Sequence, residues 1–303
     1  MPELPEVETV RQGLAGYLVG RTVVSARALH PRVARRHAAG GADLCALLTD
    51  RRCLGVQRRG KYLWVPLAGD TTRDMTRDMT GDGEAGGDAL IAHLGMSGQF
   101  RISDQAMEGH PHLRFDARLD DGRWLSFLDQ RTFGGLTWDH LDVDAAGTRV
   151  VPTTLAHLGP DPFEPGYRPE GVARSIRRRH SEIKRVLLDQ SVVSGIGNIY
   201  ADEALWRARV HPARSAHLLP VPTIVGVLSA AVEVMSEALA QGGTSFDALY
   251  VDVNGESGYF DRSLTVYGRE DQACRRCGAP IRRLSFMNRS SFVCQRCQRP
   301  PRR

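Results

Sequence analysis

The sequence predicts an α+β protein of more than one domain, and three observations carry that prediction. The first half is made of short alternating apolar runs broken by Gly and Asp, the second half shifts to helical spacing, and two Cys-x2-Cys pairs close the chain. A length of 303 residues exceeds the usual single domain, and 42% hydrophobic residues against 25% charged give enough apolar material for real cores. No window reads as an uninterrupted apolar run of about 20 residues, the length a membrane helix needs. The N-terminus lacks the basic-then-apolar layout of a secretory signal, so a cytoplasmic protein with no membrane partner is expected.

Residues 2–18 read as a helix starting at Pro2, with Val7, Val10, Leu14 and Leu18 on one apolar face. From about residue 20 to 140 the pattern is that of a mostly antiparallel sheet structure. Its strands include Lys61 to Val65, Gly98 to Ile102, and Leu113 to Leu125 folded around an Asp120-Asp121-Gly122 turn. Residues 70–88 are acidic and Gly-rich and repeat Arg-Asp-Met-Thr in tandem, a composition that builds no core and predicts a flexible surface insertion. Pro152 to Pro169 reads as a linker. Beyond it, Ile176, Ile183, Val186 and Leu187 form one helical stripe, and Ile224, Leu228, Ala231, Met235 and Leu239 another that stops at Gly242-Gly243.

Cys274-x2-Cys277-x16-Cys294-x2-Cys297 is a metal-binding spacing, since each close pair chelates one ion through a tight turn and the loop brings two hairpins together. Four thiolates suit one zinc ion; a rubredoxin-like iron site or a chance pairing are the alternatives. A closed cage leaves no open position for substrate, so the ion is expected to be structural. Cys45 and Cys53 show no such pattern and read as reduced core residues.

Net charge is only +5, but nine Arg and no acid fall between Cys274 and Arg303, and Arg177-Arg178-Arg179-His180 forms a second cluster. Such runs are either solvated surface or polyanion contact, and a tail without a single acid favours the second.

Pro2-Glu3-Leu4-Pro5-Glu6-Val7-Glu8 closely resembles the opening of the bacterial formamidopyrimidine-DNA glycosylase family. The resemblance continues at Gly60-Lys61-Tyr62-Leu63, His93-Leu94-Gly95-Met96-Ser97-Gly98, Asp129 to Gly134, Gly195 to Ala201, Gly258-Tyr259-Phe260 and Val266-Tyr267-Gly268-Arg269, in family order. It implies an N-terminal β-sandwich with a leading helix (2–150), a linker (151–168), a helical helix-two-turn-helix domain (169–262) and a C-terminal four-cysteine zinc finger with a β-hairpin (263–303). It also implies a monomer that takes double-stranded DNA, carrying oxidised bases or abasic sites, between its domains.

The same resemblance implies roles. Pro2, a plain helix-start residue by its position, becomes the nucleophile once Met1 is trimmed, because its secondary amine can attack the anomeric carbon and form an iminium. Helix polarity beside it disfavours the protonated amine. Glu3 becomes the general acid and base, Glu6 supports the pocket, and Lys61 reaches a phosphate near the lesion. For the two carboxylates the alternative is a favourable charge in a helix's first turn, and for Lys61 a solvated turn. Lys184, Asn198 and Arg289 correspond to phosphate contacts, and the Gly195-x-Gly197-Asn198 turn offers N–H groups to an anion, with Asn198 as a simple N-cap the alternative. Met96, Arg131 and Phe133 correspond to the trio inserted where a damaged nucleotide is turned out. Gln130 and Thr132 depart from the family's frequent Pro and Arg, which puts the loop's shape in question.

The expected activity is therefore excision of oxidised purines with strand cleavage by β,δ-elimination. An endonuclease VIII-like enzyme for oxidised pyrimidines is the rival within the superfamily, with Leu4 and the Thr244–Gly258 segment favouring the purine branch. A non-catalytic zinc-containing damaged-DNA binder is the rival of another class.

Overall fold

The computed structural model describes residues 2–69, 87–144, 147, 149–243, 253 and 263–301. Met1, the repeat-bearing insertion up to residue 86, Gly258-Tyr259-Phe260 and the Thr244–Gly258 segment except Val253 lie outside the described residues. The chain forms two units, one made of Met1–Pro2, Glu6–His157 and Ser245–Gly258, the other of Glu3–Pro5, Leu158–Thr244 and Tyr259–Arg303.

Helix α1 (Leu4–Leu18), which belongs to the first unit from Glu6 onward, begins two residues later than its periodicity predicts. Pro5 takes a place in the first turn, where a missing N–H costs nothing, and Pro2-Glu3 precede the helix. Val7, Val10, Leu14 and Leu18 are all buried, as their spacing requires. Strand β1 (Val23–Ala28), a 3-10 turn at Pro31–Ala34 and helix α2 (Gly40–Leu48) follow. The remaining strands are β2 (Gln57–Arg59), β3 (Tyr62–Leu67), β4 (Asp88–His93), β5 (Gly98–Ser103), β6 (Leu113–Leu119), β7 (Trp124–Asp129), β8 (Gly135–Val143) and β9 (Val150–Pro152). They make two antiparallel sheets, β1-β6-β7-β5 and β2-β3-β4-β8-β9. One core joins their inner faces, with Phe100, Phe115 and Phe127 from the first sheet and Leu63, Val65, Leu90 and Leu136 from the second. Burying each such side chain contributes about 1.5–3 kcal/mol, which fixes the inward-facing register of both sheets.

The segment expected as a linker is divided between the units. Strand β9 pairs with β8, and Thr153 and Thr154 donate to the carboxylate of Asp139 at 2.6–2.8 Å, so residues up to His157 belong to the first unit. Gly159 N–H donates to Gln190 O and Ser194 N–H to Pro160 O, which ties the rest to the second. Satisfied backbone groups, not Pro content, decide this stretch.

The second unit carries α3 (Pro169–Arg177), α4 (Ile183–Leu187), α5 (Asn198–Arg207) and α6 (Val221–Ala240) around one apolar core. The stripe read from Ile176 to Leu187 is broken at Arg178 to Glu182 into two helices, both of which bury it. Helix α6 corrects the expectation about membrane-length apolar runs: by length and composition it suffices to cross a bilayer. Ile224, Leu228, Ala231 and Met235 bury it in the core as their spacing predicts, while Ala238 rather than Leu239 completes the stripe. Beyond it, β10 (Arg282–Phe286) and β11 (Arg289–Val293) form a hairpin in register Phe286↔Arg289. Among the two cysteines outside the paired motif, Cys53 is buried and Cys45 half-buried, and both are free.

Candidate active site

Pro2 and Glu3 are both buried at the start of the chain. The Glu3 carboxylate receives the backbone N–H of Ile199 at 3.0 Å and of Tyr200 at 3.4 Å, the first turn of α5. These donors directly follow the Gly195-x-Gly197-Asn198 turn expected to offer its N–H groups to a phosphate, and the anion they hold is the protein's own carboxylate. Gly197, not Asn198, is the helix cap residue, and a Cβ there would lie 2.1 Å from Glu3 Cδ. The glycine is required by the acid it accommodates.

In the first unit Glu6 is buried, and Lys61 is only 9% exposed at the tip of the β2–β3 hairpin, not a solvated turn residue. Two arginine bonds fix that tip. Arg58 donates to Gly60 O at 3.1 Å and to Glu8 on α1 at 2.8 Å, with Arg11 on the same carboxylate. Burial raises the Glu8 pKa, but the hydrogen bonds from Arg11 and Arg58 outweigh it and hold the group below the ordinary glutamate range.

Met96, Arg131 and Phe133 are brought together on two adjoining loops and all three are exposed. The buried Asp129 accepts from Ser97 Oγ at 2.6 Å and from Gly134 N–H at 2.7 Å, and Ser97 Oγ in turn accepts from Arg131 N–H at 3.0 Å. Gly95 has φ 64°, and a Cβ there would meet Gly134 N and the Phe133 carbonyl carbon at 2.4 Å, so the two loops pack backbone to backbone. The Arg131 guanidinium lies 5.4 Å from the centre of the Phe133 ring.

His93 anchors the Met96 loop by accepting the Gly95 N–H on Nδ1 at 3.0 Å, with its ring against Tyr62. Burial, then the charges of Arg36, Lys61 and Arg35, push its pKa down to about 4 from an ordinary 6.5. A histidine depressed on folding contributes stability that is fully present above 6.5 and is lost as pH falls through 4. Between pH 7 and 4 the wild type is expected to lose about 3 kcal/mol more than His93→Asn, whose Oδ1 keeps an acceptor without a titrating ring. Urea melts of both proteins at the two pH values check this, and equal losses would contradict it.

In the second unit Lys184, Asn198 and Arg289 are gathered around one carbonyl. Ser290 O accepts from Asn198 Nδ2 at 3.0 Å and from Lys184 Nζ at 3.4 Å, and Arg289 is the exposed residue next to it at the hairpin tip. Lys184 itself is fully buried, its Nζ 2.7 Å from Asp202, so it is placed to hold the hairpin rather than to meet solvent. Asp202 also accepts from Ser291 Oγ at 2.8 Å and Phe292 N–H at 2.9 Å. Burial pulls the Lys184 pKa down and pushes that of Asp202 up to about 6. Sequence reasoning missed Asp202, which directly follows the Gly195–Ala201 block. An open groove of about 550 Å³ beside the hairpin tip is lined by Arg179, Arg185 and Arg289.

The Sγ atoms of Cys274, Cys277, Cys294 and Cys297 lie within 4.8 Å of one another. Gly278 N–H closes the first turn on Cys274 O, and Gln298 Oε1 accepts from Cys294 N–H. Four thiol donors at this spacing fit one structural zinc ion with no open coordination position. Arg276, between the first pair, stacks on Trp206 at 4.0 Å and donates to the carbonyls of Trp206 and Arg207, which closes the C-terminal end of α5.

Three family descriptions match in order: formamidopyrimidine-DNA glycosylase N-terminal domain over residues 1–136, formamidopyrimidine-DNA glycosylase H2TH domain over 158–248, and zinc finger found in FPG and IleRS over 271–300. The chain is 56% identical over 303 residues to the formamidopyrimidine-DNA glycosylase of Mycobacterium avium (strain 104), covering all of both chains. It is 54% identical to that of Rhodococcus opacus (strain B4), covering 100% of this chain and 99% of the relative. Among solved structures, the Lactococcus lactis Fpg in complex with abasic-site DNA is 29% identical, with a TM-score of 0.80 over 99% of this chain and 100% of that one. The L. lactis G226P variant with Fapy-dG DNA superposes equally well, at a TM-score of 0.80 and the same coverage. With its three modules matched in order and relatives more than half identical from end to end, the chain belongs to the formamidopyrimidine-DNA glycosylase family.

Proposed function

We infer that the chain is a bifunctional DNA glycosylase and abasic-site lyase of base excision repair that removes oxidised purines such as 8-oxoguanine and formamidopyrimidines. The observation that carries this reading is the buried Glu3 carboxylate, held by two backbone N–H groups of α5 directly beside the proline that follows Met1. Family membership supplies the reaction class, and the residues supply the roles.

The Pro2 nitrogen, free once Met1 is removed, attacks C1′ of the turned-out nucleotide. The C1′–N9 bond breaks and the base leaves with a proton, while Glu3 protonates O4′ so that the sugar ring opens. The resulting iminium makes the C2′ and C4′ protons acidic. Removing the first expels the 3′ phosphate and removing the second expels the 5′ phosphate, leaving a one-nucleotide gap with phosphate at both ends. Lys61 and Arg289 meet backbone phosphates, with Asn198 and Lys184 holding the hairpin that carries Arg289, and Met96, Arg131 and Phe133 fill the vacated space. Zinc keeps the hairpin folded and takes no part in bond making. The enzyme acts as a cytoplasmic monomer on double-stranded DNA.

Borohydride reduction on 8-oxoguanine duplex is expected to cross-link protein lacking Met1 to DNA in near-stoichiometric yield, and to leave protein that retains Met1 uncoupled. Failure of both forms to cross-link, with DNA binding intact, would leave only a non-catalytic damage binder, and cross-linking by both would move the nucleophile away from Pro2. Parallel rates on thymine glycol separate the purine reading from that of an oxidised-pyrimidine enzyme.

A further inference from the structure

Arg35, which has no assigned part in the reaction, ends the 3-10 turn Pro31–Ala34 and makes two bonds to the loop that carries Arg131 and Phe133. Its Nη1 donates to Thr132 O and its Nη2 to Phe133 O, each at 2.5 Å, and Arg32 Nη1 lies 3.5 Å from Thr132 Oγ1. Thr132 has φ 55°, a left-handed conformation that a β-branched residue adopts only when its surroundings impose it. Gly95, in the turn that presents Met96, also approaches the Phe133 carbonyl closely, since a Cβ there would stand 2.7 Å from its oxygen. Arg32, Arg35 and Arg36 crowd three like charges into one turn, an arrangement that bonds to two carbonyls help to offset.

We propose that Arg35 is a positioning residue that locks the Arg131–Phe133 loop in its strained form and thereby sets how strictly the enzyme distinguishes the base opposite the lesion. The inference rests on the reading of Arg131 as the group that faces the orphaned base. Recognition of a base edge by a guanidinium is directional, and a displacement of about 1 Å suffices to lose it. Arg35 touches neither base nor sugar in this account; it acts through the two carbonyls.

The experiment is single-turnover excision of 8-oxoguanine placed opposite each of the four bases, by wild type, Arg35→Ala, Arg35→Lys and Arg131→Ala, with amide hydrogen exchange of residues 131–134 in the free protein. Arg35→Ala is expected to narrow the spread of the four rates by about tenfold, since charge-assisted bonds to the loop are lost and only partly replaced by water. It should also speed exchange at Arg131 to Gly134. Arg35→Lys, which can serve one carbonyl at a time, should fall between. Adding Thr132→Gly to Arg35→Ala should restore much of the spread, because glycine adopts the required φ without strain. If Arg131→Ala collapses the spread while Arg35→Ala retains it, the positioning role is overturned. If Arg131→Ala itself leaves the spread unchanged, the loop does not read the opposing base, and the inference falls for that separate reason.

Discussion

Glu3→Gln is expected to slow single-turnover excision of 8-oxoguanine by on the order of 10²–10⁴, the range a positioned general acid contributes. Borohydride-trappable attack on a preformed abasic site should fall far less, by about tenfold or less. The asymmetry follows from the chemistry. An intact nucleoside needs its ring oxygen protonated as the ring opens, whereas an abasic sugar already equilibrates with its open aldehyde, which the Pro2 amine can attack unaided. Glutamine keeps one oxygen to accept from Ile199 N–H but turns an NH2 toward the more distant Tyr200 N–H, so denaturant melts of the variant separate the small stability cost from the loss of chemistry. Gly197→Ala offers an independent route to the same result. Its Cβ would stand 2.3 Å from Glu3 Oε1, so the carboxylate must leave its donors although its identity is unchanged. Equal loss of excision and of abasic-site trapping in both variants would remove Glu3 from the acid's role.

Asp202→Ala should lower the stability of the helical unit by about 3–5 kcal/mol, the range for stripping the partner from a buried charge. Lys184 is fully buried and Asp202 is its carboxylate partner at 2.7 Å, so the variant leaves an ammonium in the interior without its directly bonded carboxylate, beside Ser290 O and the Phe286 ring. The same change frees Ser291 Oγ and Phe292 N–H, which fasten β11 to α5. Affinity for lesion DNA should therefore fall with stability, because Arg289 rides on that hairpin. A double variant, Lys184→Met with Asp202→Leu, removes both charges and is expected to recover most of the stability but not the hairpin's register. Denaturant melts and binding titrations of the three proteins check the two halves separately. A double variant no more stable than Asp202→Ala would show that the buried pair is not what the single change breaks.

Local patterns carried part of this structure into the sequence. Val7, Val10, Leu14 and Leu18 declared the buried face of α1, and Ile224 to Met235 that of α6, because helical period reports burial within one segment. The paired cysteines declared a metal cage for the same reason: chelation through a tight turn demands fixed local spacing. What escaped were bonds between distant positions. Nothing around Arg35 announces that it reaches carbonyls nearly a hundred positions on, and nothing around Glu3 announces that α5 will clasp it. Family likeness singled out Lys184 as a phosphate contact, but its burial against Asp202 depends on α4 and α5 packing together. The break between α3 and α4 was equally hidden, since both halves bury the same stripe and periodicity alone cannot see the interruption.

Helix α5 spans 10 residues, roughly 15 Å, with the acid's carboxylate clasped at one tip and the metal module's Arg276 sealing the other. Oxidants that scar guanine also attack sulfur, so the conditions that create the lesion threaten the thiolates behind that seal. A repair enzyme built this way exposes its own fold to the stress it answers: loss of the cage would free Arg276 from the Trp206 and Arg207 carbonyls and let the last turn of that rod fray.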